Sequence, residues 1–274
     1  MKIFGIMLVK DEADIIQSVL EHARTWADRV IVIDNGSTDG TWDTVSSMAD
    51  EQIVAWRRDL RPYSNALRGD AFNAFRDEAQ ENDWWCYKMD SDEFYVDNPR
   101  EFLSEVPWPY HVVYKKSLDY VITEEDVEEQ ELSDSFEENQ LLIRYLKPVA
   151  YSEPRFFRHR DRLVWPEGKA APNHRGPRYP HPIAVRHYQF RSPQQMQHRL
   201  DVRNAVPRDK HGKPFRHVRH THWKQLLVPR EEAVLDQGRE TYEAIPTRVW
   251  DEPKGLVKLK RSAERKLHAL HILP

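Results

Sequence analysis

The chain has 274 residues, of which 39% are hydrophobic and 31% charged. That is ample for one large domain with a sizeable core. No apolar run approaches the ~20 residues of a membrane span, and the single Cys86 excludes an internal disulfide or a Cys-rich zinc site.

In chain order, Lys2 to Val9 is a continuous apolar run and predicts a buried strand. It leads straight into Lys10-Asp11-Glu12 with no cleavage site, so it does not read as a secretory leader, and a cytosolic location is expected. Ala13, Ile16, Val19, Leu20 and Ala23 recur at helical spacing and predict a helix over 12–27. Arg29 to Asp34 predicts a second buried strand, rich in β-branched residues. A turn through Asn35-Gly36-Ser37-Thr38-Asp39-Gly40 opens a helix over 41–48, and Ile53 to Trp56 predicts a short strand. Leu67 to Glu81 predicts a helix with Ala71, Phe72, Ala74, Phe75 and Ala79 on its apolar side. Trp84 to Met89 predicts another strand, which ends on Asp90-Ser91-Asp92-Glu93.

After Pro99 the pattern loosens. Tyr110 to Leu118, Phe156 to Phe157, Leu163 to Trp165 and Ile183 to Phe190 predict strands. Glu124 to Glu138 holds nine acidic residues of fifteen and predicts a solvated acidic loop or insertion. Pro166 to Pro182, with five prolines, predicts an irregular loop. Ser192 as N-cap and Pro193 at the first helical position open a helix to about Arg203. Residues 207–224 are basic and His-rich, Glu231 to Ile245 predicts a helix, and Leu256 to Ile272 a last amphipathic one. The alternation of strands and helices predicts an α/β fold: a mixed, mainly parallel sheet flanked by helices, with a mostly helical basic C-terminal extension. The expected boundaries are a catalytic domain over 1–203 and an extension over 204–274.

In such sheets ligands bind at the carboxyl ends of the strands. Three polar clusters fall there: Lys10-Asp11-Glu12, Asp34-Asn35 and Asp90-Ser91-Asp92. Asp90 and Asp92 supply hard oxygen donors of the kind that hold Mg²⁺ or Mn²⁺ together with a diphosphate. Such a cation would act as a Lewis acid at a departing phosphate. Asp34 suits a ribose hydroxyl or a base N–H. Asp39 either does the same or caps the helix that follows it. His187, at the end of a late strand, would add an imidazole donor, and Arg186 and Arg191 match phosphate geometry.

Taken in order, MLVKDEADII, VIVIDNGSTDGT, WWCYKMDSDEF and VRHYQFRS resemble family 2 glycosyltransferases of GT-A fold, in particular the bacterial branch whose metal motif reads Asp-x-Asp-Glu-Phe. The likeness covers about residues 1–200. It implies a nucleotide-diphospho-sugar donor, with a UDP-sugar favoured, and an inverting transfer to a glycan or lipid-linked acceptor in surface polysaccharide synthesis. By the same resemblance Val9 and Asp11 would line the base pocket and Asp34 would contact the nucleoside. Asp90 would sit near the ribose with Ser91 beside it, Asp92 would hold the metal, and His187 would be a late metal or diphosphate ligand. Arg68 matches loosely a polar position that reaches the nucleotide. The Glu-Asp pair that supplies the base in many members is missing. An inverting transfer needs a carboxylate at the acceptor hydroxyl; Glu167 is the first choice, with Glu153 and Asp119 as alternatives.

The formal charge of -4 is unevenly placed. Residues 1–150 hold 15 Lys and Arg against 32 Asp and Glu, and residues 151–274 hold 26 against 13. Either the two parts attract each other or the basic part meets an anionic partner. Lys254, Lys258, Lys260, Arg261, Arg265 and Lys266 interleave with apolar residues, a pattern able to lie on an anionic membrane. Nucleic acid is disfavoured, since 203–224 offers only Phe215 and Trp223 for stacking. The competing readings are a nucleotidyltransferase acting on sugar phosphates and a non-catalytic nucleotide- or nucleic-acid-binding module.

Overall fold

A computed structural model describes residues 1–173, 175–205, 220–249, 262–263 and 266–267. The elements run β1 (Ile3–Val9), α1 (Ile16–Arg24), β2 (Arg29–Asp34), α2 (Thr41–Ser47), β3 (Ile53–Arg58), α3 (Ala66–Phe75), β4 (Trp84–Met89), β5 (Glu93–Tyr95) and α4 (Pro99–Ser104). They continue as β6 (Val112–Val121), α5 (Glu124–Glu129), α6 (Phe136–Asn139), β7 (Tyr145–Leu146), β8 (Ala150–Arg158), β9 (Ile183–His187), α7 (Pro193–Ala205), β10 (Val234–Leu235), α8 (Arg239–Ala244) and β11 (Thr247–Val249). The chain divides into two compact units: Met1–Ser117, Tyr151–Arg186 and Thr247–Pro274 form the first, and Leu118–Ala150 and His187–Pro246 the second.

The first unit is built on a mixed sheet. Strand β1 pairs in parallel with β2 on one side and β4 on the other, and β2 pairs in parallel with β3. Beyond β4 the pairing turns antiparallel, through β8 to the first part of β6. Every residue of β1 is buried, as its unbroken apolar run requires of a strand covered on both faces. Gly5 lets β4 pack close to β1: a Cβ there would lie 2.9 Å from the Met89 sulfur, which would have to shift. Phe4, Phe72, Trp85, Phe157 and Trp165 form the aromatic heart of this core. The α/β class and the mainly parallel sheet flanked by helices are thus as the sequence predicts.

Local departures have physical reasons. Helix α1 begins at Ile16 rather than Glu12. The amides of Glu12 and Ala13 leave the helical direction and donate to the Thr41 hydroxyl and the Asp39 carboxylate, at 2.8 and 3.0 Å. Leu163 to Trp165 is not a strand. Trp165 is buried against Gly69 of α3, and its indole N–H donates to the Lys169 carbonyl at 2.9 Å.

In the second unit the end of β6 pairs antiparallel with β7, and β7 with β10. The acidic segment is solvated, as its composition suggests, but it is helical in part, as α5 and α6, rather than a loop throughout. Thr123 accepts the Asp126 N–H at 3.1 Å while the Asp126 carboxylate accepts the Thr123 N–H at 2.9 Å, a capping box that starts α5. Acidic residues in a first turn also suit the positive end of a helix. Arg230 then binds Asp126 and Glu129, at 3.0 and 2.8 Å, so acidic and basic stretches pair here within one unit. Residues 231–245 are not one helix. Strand β10 pairs with β7, Gly238 adopts φ +88°, and only α8 follows. The helix predicted over 193–203 is present as α7, with the Ser192 hydroxyl accepting the Gln195 N–H at 3.1 Å. Most of the basic segment 207–224, and nearly all of the predicted helix over 256–272, lie outside the described residues.

Candidate functional site

The loops after β1 and β2, both in the first unit, are laced together by carboxylates. Val9, the last residue of β1, stands opposite Asp34, the last of β2, and its carbonyl accepts the Asn35 N–H at 2.8 Å. Asp34 is fully buried. Its carboxylate accepts from the amides of Gly36 and Ser37 at 3.0 and 3.1 Å and from Arg58 Nε at 3.1 Å. Asp11 sits at φ +52°, a left-handed conformation that Asp tolerates better than most residues. From there Oδ1 accepts the Thr38 N–H at 2.8 Å, and the Asp11 amide donates to the Ser37 hydroxyl at 3.0 Å. Asp39 accepts from the Thr41 amide and hydroxyl at 3.0 and 2.6 Å, just ahead of α2, whose N-cap position is Gly40. Burial works to raise the Asp39 pKa, but the Thr41 and Ala13 hydrogen bonds outweigh it and hold it below the ordinary value.

The loop after β4 belongs to the same unit and carries a denser charge cluster. Asp90 is gripped on both oxygens: Arg68 Nη2 donates to Oδ1 at 3.0 Å and Arg155 Nη2 to Oδ2 at 3.2 Å. Lys115 Nζ lies 3.9 Å away. Burial would raise the Asp90 pKa, but Arg155, Lys115 and Arg68 together bring it below the usual carboxylate value. Arg155 also meets Glu93 at 3.0 Å and Glu153 at 3.5 Å, and Lys115 bonds Glu93. Glu153 faces Lys88 at 3.1 Å and Lys115 at 3.3 Å. Burial opposes its ionisation, yet Lys115, Arg155 and Lys88 pull its pKa down to about 2. Ser91 and Asp92 are buried beside this network.

The predicted residues are therefore placed differently. Arg68 is buried and turned to Asp90. Glu153 is held as an anion, which makes it a weak proton acceptor. Glu167 is exposed, one residue before Gly168 at φ +72°, on the segment that Trp165 anchors. Arg186 is half-buried, and burial together with its charge lowers the His22 pKa. In that neutral state the His22 Nε2 accepts the Tyr95 N–H at 3.0 Å. Sequence reasoning missed Lys115, Arg155 and the structural weight of Glu93.

In the second unit, His187 Nδ1 lies 2.8 Å from Asp119 Oδ1. Asp119 is held in turn by Lys147, whose Nζ is 3.4 Å from Oδ2 and whose amide donates to the Asp119 carbonyl at 2.9 Å. Arg191 is fully buried and donates to the Tyr188 carbonyl at 3.0 Å. Tyr188 stacks on Tyr120 with centroids 4.4 Å apart, and Tyr120 and Tyr242 both donate to Asp236. Among the described residues no three His, Cys, Asp or Glu side chains gather into a metal-binding group. No helix among them is long and apolar enough to cross a membrane.

A family model described as glycosyl transferase family 2 matches residues 6–159. No curated protein matches the chain. Solved structures with partial likeness include a mannosyltransferase from Pyrobaculum calidifontis in complex with GDP-Man and Mn²⁺, 15% identical over 57% of this chain and 44% of that one, with a TM-score of 0.32. A putative glucose-1-phosphate thymidylyltransferase from Bacillus anthracis is 13% identical over 43% and 55%, with a TM-score of 0.31. The glucosyl-3-phosphoglycerate synthase of Mycobacterium tuberculosis, in complex with Mn²⁺, UDP and phosphoglyceric acid, is 21% identical over 43% of each chain, with a TM-score of 0.28. The chain thus spans about half the length of these structures or less, and no residue takes a role from them.

Proposed function

The chain belongs to glycosyl transferase family 2, and from that premise we propose that it transfers a sugar from a nucleotide-diphospho-sugar donor to a glycan or lipid-linked acceptor with the help of Mn²⁺ or Mg²⁺. The observation behind this reading is the set of carboxylate loops at the carboxyl ends of parallel strands β1, β2 and β4, where an open α/β sheet receives its ligands.

In this reading the nucleoside lies against the loops of Val9, Asp11 and Asp34. Asp34 folds its own loop through the Gly36 and Ser37 amides, and Asp11 and Asp39 tie the two loops together. A cation at Asp90 would sit among Arg68, Arg155 and Lys115, so Asp90 fits a hydroxyl acceptor role toward the donor and Asp92 is the carboxylate for the metal. A hard cation held by one or two carboxylates, with the rest of its shell from phosphate and water, needs no larger protein cluster. Bound there, it would supply Lewis-acid stabilisation of the leaving diphosphate. His187 is assigned as a further metal ligand, and Arg186 as a diphosphate contact. Arg191, fully buried and donating to the Tyr188 carbonyl through one of its nitrogens, is the weaker of the two diphosphate candidates. The base is Glu167, the one exposed member of the three carboxylates considered. A UDP-sugar as donor, surface polysaccharide as product and peripheral contact of the 256–272 segment with anionic membrane complete the proposal.

A thermal-shift series with UDP, GDP, TDP and ADP, each with and without Mn²⁺, tests it. Binding to the native state alone raises apparent stability. Stabilisation by one nucleotide that depends on Mn²⁺ is expected; no response to any of them would overturn the reading. Mn²⁺-dependent hydrolysis of the matching sugar nucleotide then separates an enzyme from a binding module.

A further inference from the structure

We infer that Arg175 and Arg178, both in the first unit, form a subsite for an anionic group, a phosphate or a carboxylate, on the acceptor. That the ligand is an acceptor rests on the glycosyl-transfer reading above; the anion site itself does not. Both arginines are half-buried, and among the described residues neither has a carboxylate partner. Arg175 Nη1 donates to the Tyr87 hydroxyl at 2.6 Å, and the Arg178 guanidinium lies 4.0 Å from the centre of the Tyr114 ring. Tyr87 does not supply the missing negative charge. Burial lifts its pKa to about 12, so it stays a neutral hydroxyl. Glu153, whose charge reaches Tyr87, is already taken by Lys88, Lys115 and Arg155. Arg178 Nε is buried with no hydrogen-bond partner, a costly state that an anion at the edge of the guanidinium would relieve. A guanidinium stacked on a ring keeps its N–H donors in one plane, which is the geometry that meets a phosphate or a carboxylate.

The pair is fixed in place by its backbone. Gly176, between the two, takes φ +91° and packs so close to His111 that a Cβ would lie 2.7 Å from the His111 Cβ. The Pro177 carbonyl accepts the amides of His111 and Val112 at 2.9 and 3.1 Å, and the Tyr179 amide donates to the Val112 carbonyl at 2.7 Å. The segment that carries both arginines is thus tied to the start of β6. Tyr87 and Tyr114 stand on β4 and β6, and the sheet order β6-β8-β4-β1-β2-β3 sets them on the opposite half from β2 and β3. The nucleoside loops follow β1 and β2, so the arginines lie toward the other half of the site. Glu167, the proposed base, belongs to the same proline-rich segment and must meet the acceptor hydroxyl.

The test titrates inorganic phosphate calorimetrically into the full chain, without metal or nucleotide, and acetate as the carboxylate counterpart. Saturable binding by the wild type is expected. Arg175→Gln and Arg178→Gln are each expected to weaken it at least about tenfold, the scale of one lost charge-assisted hydrogen bond, and Arg178→Lys to recover part. Matched circular dichroism spectra guard against unfolding. No binding of either anion by the wild type, or equal binding by the wild type and both glutamine variants, overturns the inference. Tighter binding of phosphate than of acetate selects a phosphate-bearing acceptor, and the reverse a carboxylate. The nucleotide thermal-shift series is run on the same variants. Loss of phosphate binding with the Mn²⁺-dependent nucleotide response retained places the anion on the acceptor. Loss of both places it on the donor diphosphate and overturns the acceptor assignment. Phosphate bound through Arg175 and Arg178 in a chain that answers to no nucleotide leaves the anion site standing and removes the transfer reading.

Discussion

Arg155, with no solvent exposure, donates to Asp90 Oδ2 at 3.2 Å, and the same guanidinium is 3.0 Å from Glu93. One cation from β8 thereby fixes both ends of the Asp90-Ser91-Asp92-Glu93 loop. Its loss would leave buried Glu93 to Lys115, and Asp90 to Arg68 and Lys115, so the buried network would carry excess negative charge. Removing one partner of a buried ion pair costs about 3–5 kcal/mol. Arg155→Met is expected to lower the stability in urea by that order. Arg155→Lys should lose less, since it keeps the charge but not the forked geometry. Equal losses for both variants would mean that packing, not charge, is what Arg155 supplies.

The same network predicts an acid response. Glu153 has its pKa depressed to about 2 in the folded chain, against an ordinary value near 4.5. A depressed carboxylate stabilises the fold fully above its unfolded pKa and loses that contribution as the pH falls through the folded one. The window is therefore roughly pH 4.5 down to 2, and the shift is worth on the order of 3 kcal/mol. Glu153→Gln is expected to be less stable than the wild type at pH 7, with the difference closing across that window. The difference between the two urea-stability curves against pH checks it; a constant offset would contradict it.

How far this site could be read from the sequence depends on range. Strands β1, β2 and β4 were legible because fully buried strands leave continuous apolar runs, and their ends mark the loops of Asp11, Asp34 and Asp90. Arg155 was not legible. It meets Asp90 and Glu93 across 65 and 62 residues, and no local pattern encodes such pairs. Its strand was also masked by Pro154, which argues against a strand interior. Pro154 is accommodated opposite Tyr114, where the β6–β8 register shifts. The acidic run 124–138 was legible only in part: its composition points rightly to solvent, while the helix that Thr123 and Asp126 cap is a local signal the composition hides.

Gly69 offers a test of the segment that presents Glu167. A Cβ at this position would come within 2.7 Å of Trp165 Nε1 and 2.9 Å of Cδ1. Gly69→Ala must therefore push the indole off α3, although alanine favours a helix. Overpacking of this kind costs roughly 1–3 kcal/mol. Trp165→Phe leaves more room, so the double variant is expected to be more stable than the two single losses predict, a coupling readable in urea. Additive losses would show that the indole and Gly69 do not constrain each other.

Glu167 and Asp92 are assigned opposite parts, and two variants can separate them. A general base contributes about 10²- to 10⁴-fold to a rate without holding the donor. Glu167→Gln is therefore expected to lower kcat for sugar transfer by that factor and to leave Mn²⁺-dependent stabilisation by the nucleotide intact. Asp92→Asn is expected to abolish that stabilisation and, with it, donor hydrolysis as well as transfer. Glu167 is exposed, so its replacement has no buried partner to strand and should leave stability within about 0.5 kcal/mol of the wild type. A kcat loss in Glu167→Gln thus reports on chemistry rather than on folding. Near-normal transfer would return the search for the base to the acceptor side, with Glu153 still disfavoured by its low pKa and Asp119 by its contact with His187.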